Sequence, residues 1–146
     1  MVDPKGRLFF TGPGKDPTYA NASAAGLDLS IRTEEAIVFH PGDHHRIHTG
    51  LCFEIPPGFF GLVAIRSSLG ARGLVLANGI GIIDEDYRGE IQMPLYNHGK
   101  ETIILEDGER VGQMVLLPYI QLSPLRVEAL SESERGAEGF GSSGRF

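Results

Sequence analysis

His44-His45-Arg46-Ile47-His48-Thr49-Gly50-Leu51-Cys52-Phe53-Glu54-Ile55 decides the fold. Ile47, Thr49, Leu51, Phe53 and Ile55 share one parity, and Arg46, His48, Cys52 and Glu54 share the other. That is the period-two pattern of a strand with one buried and one wet face. Pro56-Pro57-Gly58 then turns the chain. Phe59 to Arg66 is apolar on both parities, which predicts a strand covered on both faces. Tyr87 to Tyr96 alternates again, with Ile91, Met93 and Leu95 on one side. Thr102 to Leu105, the turn Glu106-Asp107-Gly108-Glu109 and Val111 to Leu117 predict a hairpin. Only Ser67 to Gly73 reads as a helical turn. With 20 glycines and 9 prolines cutting the chain into short segments, the expectation is an all-β sandwich or barrel.

The 146 residues carry a net charge of −6 and a pI near 5.3, which argues against a general nucleic-acid binder. An anionic small molecule stays open, because a few local arginines overcome a weak global field. One cysteine, Cys52, cannot form an internal disulfide and suits a reducing compartment. No apolar run reaches membrane-spanning length, and Met1-Val2-Asp3-Pro4-Lys5 lacks a signal-peptide core. The expected setting is soluble, intracellular and cytoplasmic, without membrane or nucleic-acid partners. The strands around Val63 and Val115 show a second apolar face, which one small core cannot absorb, so an oligomer is expected. Residues 1–130 read as one β domain. Residues 131–146 are rich in Gly, Ser and charge and read as a mobile arm, long enough when extended (roughly 50 Å) to reach a neighbouring subunit.

Chemistry concentrates in Ala77-Asn78-Gly79-Ile80-Gly81-Ile82-Ile83-Asp84-Glu85-Asp86-Tyr87-Arg88-Gly89-Glu90. It reads as a glycine-relieved hairpin with Asp84 at a strand end, where a carboxylate is held rigidly beside a ligand. Tyr87 adds a ring suited to packing on a sugar or base. Arg66-Ser67-Ser68-Leu69 offers a guanidinium, two hydroxyls and N–H groups to phosphate, although Ser67 could equally be a helix cap. Glu109-Arg110-Val111-Gly112-Gln113 sets an arginine and an amide at a strand start. Asp28, between Leu27 and Leu29, is either a turn cap or a carboxylate holding water on a metal. Strand spacing puts His44 and His48 about 13 Å apart, too far to share an ion.

Taken in this order, Ala25-Gly26-Leu27-Asp28-Leu29, Arg66 to Leu69, Asn78 to Glu90, Glu109 to Gln113 and Arg135 to Gly144 resemble the five motifs of the trimeric deoxyuridine triphosphatase (dUTPase) family. The resemblance implies a jelly roll, a β-sandwich of the β-clip type, in a homotrimer whose active sites each draw on all three chains. It implies hydrolysis of dUTP to dUMP and pyrophosphate with Mg²⁺. Asp84 would orient water for attack on the α-phosphorus. Asn78, Gly81, Ile83 and the hairpin backbone would read uracil, and Tyr87 would exclude a ribose 2′-hydroxyl. Arg66, Ser67, Ser68 and Gln113 would hold phosphates, and Asp28 would act on the metal through water. From the arm, Arg135, Gly141, Ser142 and Ser143 would grip the outer phosphates while Phe140 stacks on the base.

Two departures stand out. Gly112 replaces the common alanine of the fourth motif, a change expected to loosen the strand, and Glu138 replaces a glycine of the fifth, where it would repel phosphate. Two other functions compete with dUTP hydrolysis. A related dCTP deaminase would need a catalytic glutamate over the base. A nucleotide-gated regulatory protein would bind a protein partner instead of, or besides, turning over dUTP.

Overall fold

The computed structural model describes residues 6–134 and 136–137. Its strands are β1 (Phe9–Thr11), β2 (Thr18–Tyr19), β3 (Leu27–Ser30), β4 (Ile37–Phe39), β5 (His44–Glu54) and β6 (Phe59–Ile65). One short helix, α1 (Ser67–Gly70), precedes β7 (Leu74–Leu76), β8 (Gly81–Ile83), β9 (Glu90–Asn97), β10 (Ile103–Leu105) and β11 (Arg110–Pro118). The protein is all-β, as expected. A four-stranded sheet in the order β1-β5-β9-β7 faces a five-stranded sheet in the order β2-β3-β11-β6-β8, and β4 pairs with β10 beside them.

Between the sheets lies one core. Leu29, Ile47, Leu51, Met93, Leu95 and Val111 are shut off from solvent there. The predicted alternation of β5 holds to its end, even though five residues of β5, His48 to Cys52, stand opposite only three of β9, Gln92 to Glu90. The irregularity adds an even number of residues, so Ile47, Thr49, Leu51 and Phe53 all stay on the buried face.

The structure corrects three strand expectations. Tyr87 to Gly89 lie outside any strand, and β9 begins only at Glu90. The turn after β10 does not close a hairpin, because β10 pairs with β4 while β11 lies between β3 and β6. The apolar hairpin expected at Ala77 to Ile83 is instead a crossover, since β7 belongs to the four-stranded sheet and β8 to the other.

Nor is β11 loosened at Gly112. The glycine is buried, and a Cβ there would stand 2.5 Å from the Met93 sulfur, so a side chain from the facing sheet fills the space an alanine would take.

On the far side of β6 and β11, Leu62 pairs with Val115 and with Ile82, and Phe60 pairs with Leu117. Ile82 and Leu117 are exposed, and Leu62 and Val115 are half-buried. This is the second apolar face, and nothing among the described residues covers it. Beyond β11 the chain runs without strand to Glu134, exposing Ile120, Leu122 and Leu125. No helix among the described residues is long and apolar enough to cross a membrane.

Candidate active site

Asp84 follows β8 immediately, at the strand end expected for it. The turn after it closes when the Tyr87 N–H donates to the Asp84 carbonyl at 3.1 Å. Arg88 steadies the loop by donating to the carbonyls of Glu85 at 2.7 Å and Tyr87 at 3.1 Å. Asp84, Ile82, Ile83, Tyr87, Glu90 and Gln92 surround a cavity of about 210 Å³. Glu90 and Gln92 are not among the residues that the sequence singles out. Their signal was the parity of β9, which turns Ile91 and Met93 inward and leaves these two on the opposite face. Asn78 and Gly81 do not line this cavity; Asn78 is exposed in the turn between β7 and β8.

A second cavity, of about 310 Å³, gathers Gly26, Asp28, Arg66, Ser67 and Gln113. Sheet register builds it. Asp28 pairs with Gln113, which pairs with Ala64, so the three stand in one row across β3, β11 and β6, and Arg66 follows β6 close by. A Cβ on Gly26 would lie 2.4 Å from Gln113 Oε1, so only glycine lets that amide lie flat there. Ser68 sits in α1, exposed and outside the lining.

The Asp28 carboxylate is nearly shut from solvent and is shared by two arginines, Arg110 Nη1 at 2.8 Å and Arg66 Nε at 3.5 Å. Arg110 reaches it because of a bulge. Between Arg110 and Gly112 the register to β3 shifts, so that Arg110 rather than Val111 stands opposite Ser30. The arginine thus shares the Asp28 face while Val111 stays in the core. Nothing in the sequence distinguishes Arg110 within its motif, because the bulge that brings it to Asp28 leaves no mark there.

A larger cavity, about 930 Å³, runs past Lys15, Arg32, His48, Glu90 and Asp107 and holds none of the predicted site residues. The predicted carboxylates, ring, guanidinium and amide gather instead in the cavities around Asp84 and Asp28. The predicted Arg135, Phe140, Gly141, Ser142 and Ser143, and the departure Glu138, lie outside the described residues. The histidines scatter: His40 Nδ1 lies 3.1 Å from Asp43, His45 packs edge-on against Phe39, and His48 Nδ1 lies 2.9 Å from Glu90. Among the described residues no group of three or more His, Cys, Asp or Glu is placed to hold a metal ion.

A family profile described as dUTPase matches residues 13–144. The chain belongs to the dUTPase family. It is accordingly a hydrolase of the dUTP diphosphatase class. Among its relatives, the deoxyuridine 5′-triphosphate nucleotidohydrolase of Alcanivorax borkumensis is 44% identical over 131 residues, covering 88% of this chain and 87% of that one. The enzyme of the same name from Escherichia phage T5 is 45% identical over 144 residues, 94% of this chain and 97% of the relative. A solved structure of the Staphylococcus bacteriophage 80alpha dUTPase with dUPNHPP superposes with a TM-score of 0.85 at 26% identity, covering 94% of this chain and 98% of that one. The stretches that resemble the family's motifs line both cavities, the one around Asp84 at the first and those of Asp28, Arg66 and Gln113 at the second.

Proposed function

We propose that this dUTPase hydrolyses dUTP to dUMP and pyrophosphate by attack of an Asp84-oriented water on the α-phosphorus, in sites assembled between chains of a homotrimer. The observation that carries the reading is the separation of the two cavities. Ile83 pairs with Gly61, so Asp84 comes level with Phe60, whereas Arg66 lies past the other end of β6. The span along the strand is roughly 20 Å. One triphosphate cannot bridge it, so the Asp84 pocket of one chain needs the arginine pocket of another. The bare face of Leu62, Val115 and Ile82, with the exposed apolar residues after β11, gives such copies something to bury.

In this reading Tyr87 packs on the deoxyribose, and the backbone at Gly81 and Ile83, with Asn78, reads uracil. Arg66, Ser67, Ser68 and Gln113 hold phosphates, and the arm, through Arg135, Phe140, Gly141, Ser142 and Ser143, closes over base and phosphates. A triphosphate repels an attacking water until its charge is neutralised and the water positioned. Guanidinium and amide groups serve the first need and Asp84 the second, by accepting a hydrogen bond and then the proton.

Magnesium fits the Asp28 pocket as an ion brought in largely by the substrate. Its single carboxylate is too little for an all-protein cage, and both carboxylate oxygens already face arginines, so contact through water suits it. When bound, the ion would offset charge on the phosphates. The lone, half-buried Cys52 accords with a reducing, intracellular setting.

Pyrophosphate release from dUTP, dCTP, dTTP and UTP, with Mg²⁺ and with EDTA, tests the reading. It expects metal-dependent release from dUTP alone. Equal release from all four, or ammonia from dCTP, would contradict it.

A further inference from the structure

Tyr87 is held from two sides. Its ring lies so close over Gly89 that a Cβ there would stand 2.5 Å from Cζ and 2.9 Å from Cε2, an approach only glycine permits. Its hydroxyl donates to the Glu90 carbonyl at 2.9 Å. Glu90 is itself pinned. Its Oε1 accepts the Gly50 N–H at 2.7 Å, its Oε2 lies 2.9 Å from His48 Nδ1, and Gln92 Nε2 donates to the same oxygen at 3.2 Å.

Gly50 is the irregular residue of β5. It has φ +68, and its carbonyl accepts from Gly14 at 3.0 Å. A Cβ on it would strike Gly14 and Arg32. The site that receives the Glu90 carboxylate is therefore fixed by close backbone packing. Glu90 also forms the wall between the Asp84 pocket and the large cavity beside His48.

We propose that the Glu90 carboxylate, locked into the β5 irregularity, is a positioning group that fixes the Tyr87 ring and so sets the preference for deoxyribose over ribose. The inference rests on the reading of Tyr87 as the sugar-facing ring. A 2′-hydroxyl adds one oxygen to the sugar, and room for it opens only if the ring gives way. A ring tethered at its hydroxyl and seated on backbone does not give way. Removing the carboxylate leaves the Glu90 carbonyl in the chain but unpins the strand start that presents it to Tyr87, without touching Asp84 or the arginines.

The test is kcat and KM of the full chain for dUTP and UTP, in the wild type and in Glu90→Ala, Glu90→Gln, His48→Leu and Tyr87→Ala. Glu90→Ala is expected to lower the dUTP-over-UTP ratio of kcat/KM about tenfold, mainly by improving UTP. Glu90→Gln keeps an oxygen for the Gly50 N–H and should restore most of the ratio. His48→Leu removes one leg of the clamp and should shift the ratio in the same direction by less, which keeps the test open if Glu90→Ala does not fold. A parallel fall for both nucleotides would reduce Glu90 to a structural role and overturn the proposal. Loss of selectivity in Tyr87→Ala but in neither clamp variant would overturn the clamp alone. Unchanged selectivity in Tyr87→Ala would overturn the sugar reading and the clamp together.

Discussion

At the scale of single residues, the account turns on which groups are free to act and which are held. Asp84 stands exposed at a strand end with its loop tied by Arg88, whereas Asp28 is buried between Arg66 and Arg110. Two aspartates of the same chemistry thereby receive different tasks. Asp84→Asn is expected to lower kcat about 10²–10⁴-fold, the share a general base supplies. It should leave the affinity for a non-hydrolysable dUTP analogue, read by calorimetry, near that of the wild type.

Glu90 gives a prediction in pH. Burial alone would raise its carboxyl, but hydrogen bonds from His48, Gly50 and Gln92 bring it below the ordinary 4.5. A carboxyl lowered on folding contributes stability above its unfolded value, and loses it as pH falls below about 4.5 through the folded value. Melting temperature should therefore drop on acidification through that range, with a shallower slope in Glu90→Gln.

Secondary-structure elements mark where sequence reading stops. Alternation identified β5 residue by residue, because burying one face is a local property of a strand. Which strand pairs with which is not local. Glu106 to Glu109 and Ala77 to Ile80 look like hairpin turns, yet each carries the chain from one sheet to another. The bulge at Val111 and the irregularity at Gly50 are likewise silent in sequence, since both answer to neighbours far along the chain. The motif order pointed to Asp28, Arg66, Asp84, Tyr87 and Gln113, all of which line one of the two cavities. Parity puts Glu90 and Gln92 on the outer face of β9, but only the folded chain brings them to the Asp84 cavity and Arg110 to Asp28.

Gly112 shows the same limit. Read alone it is a weakened strand position, but in the sheet it is the seat of Met93. Gly112→Ala should destabilise by about 1–3 kcal/mol through overpacking. Denaturant melts should find the cost smaller when Met93 is also shortened to alanine.

Over the whole molecule, three features act together. The two cavities lie at opposite ends of β6, the face carrying Leu62 and Val115 has no cover among the described residues, and the chain after Pro118 exposes Ile120, Leu122 and Leu125. A single chain with this layout keeps the Asp84 and Asp28 pockets apart, and the proposed homotrimer would join them across chains. Mixed trimers test this most directly. Asp84→Asn and Arg66→Ala chains, each near inactive alone, are refolded together in equal amounts and assayed for pyrophosphate release from dUTP. Random assembly pairs an intact Asp84 with a neighbour's intact Arg66 in about a quarter of the sites, so the mixture should recover about a quarter of wild-type activity. A mixture that forms trimers and stays as inactive as its components would place both residues in the site of one chain and contradict the account.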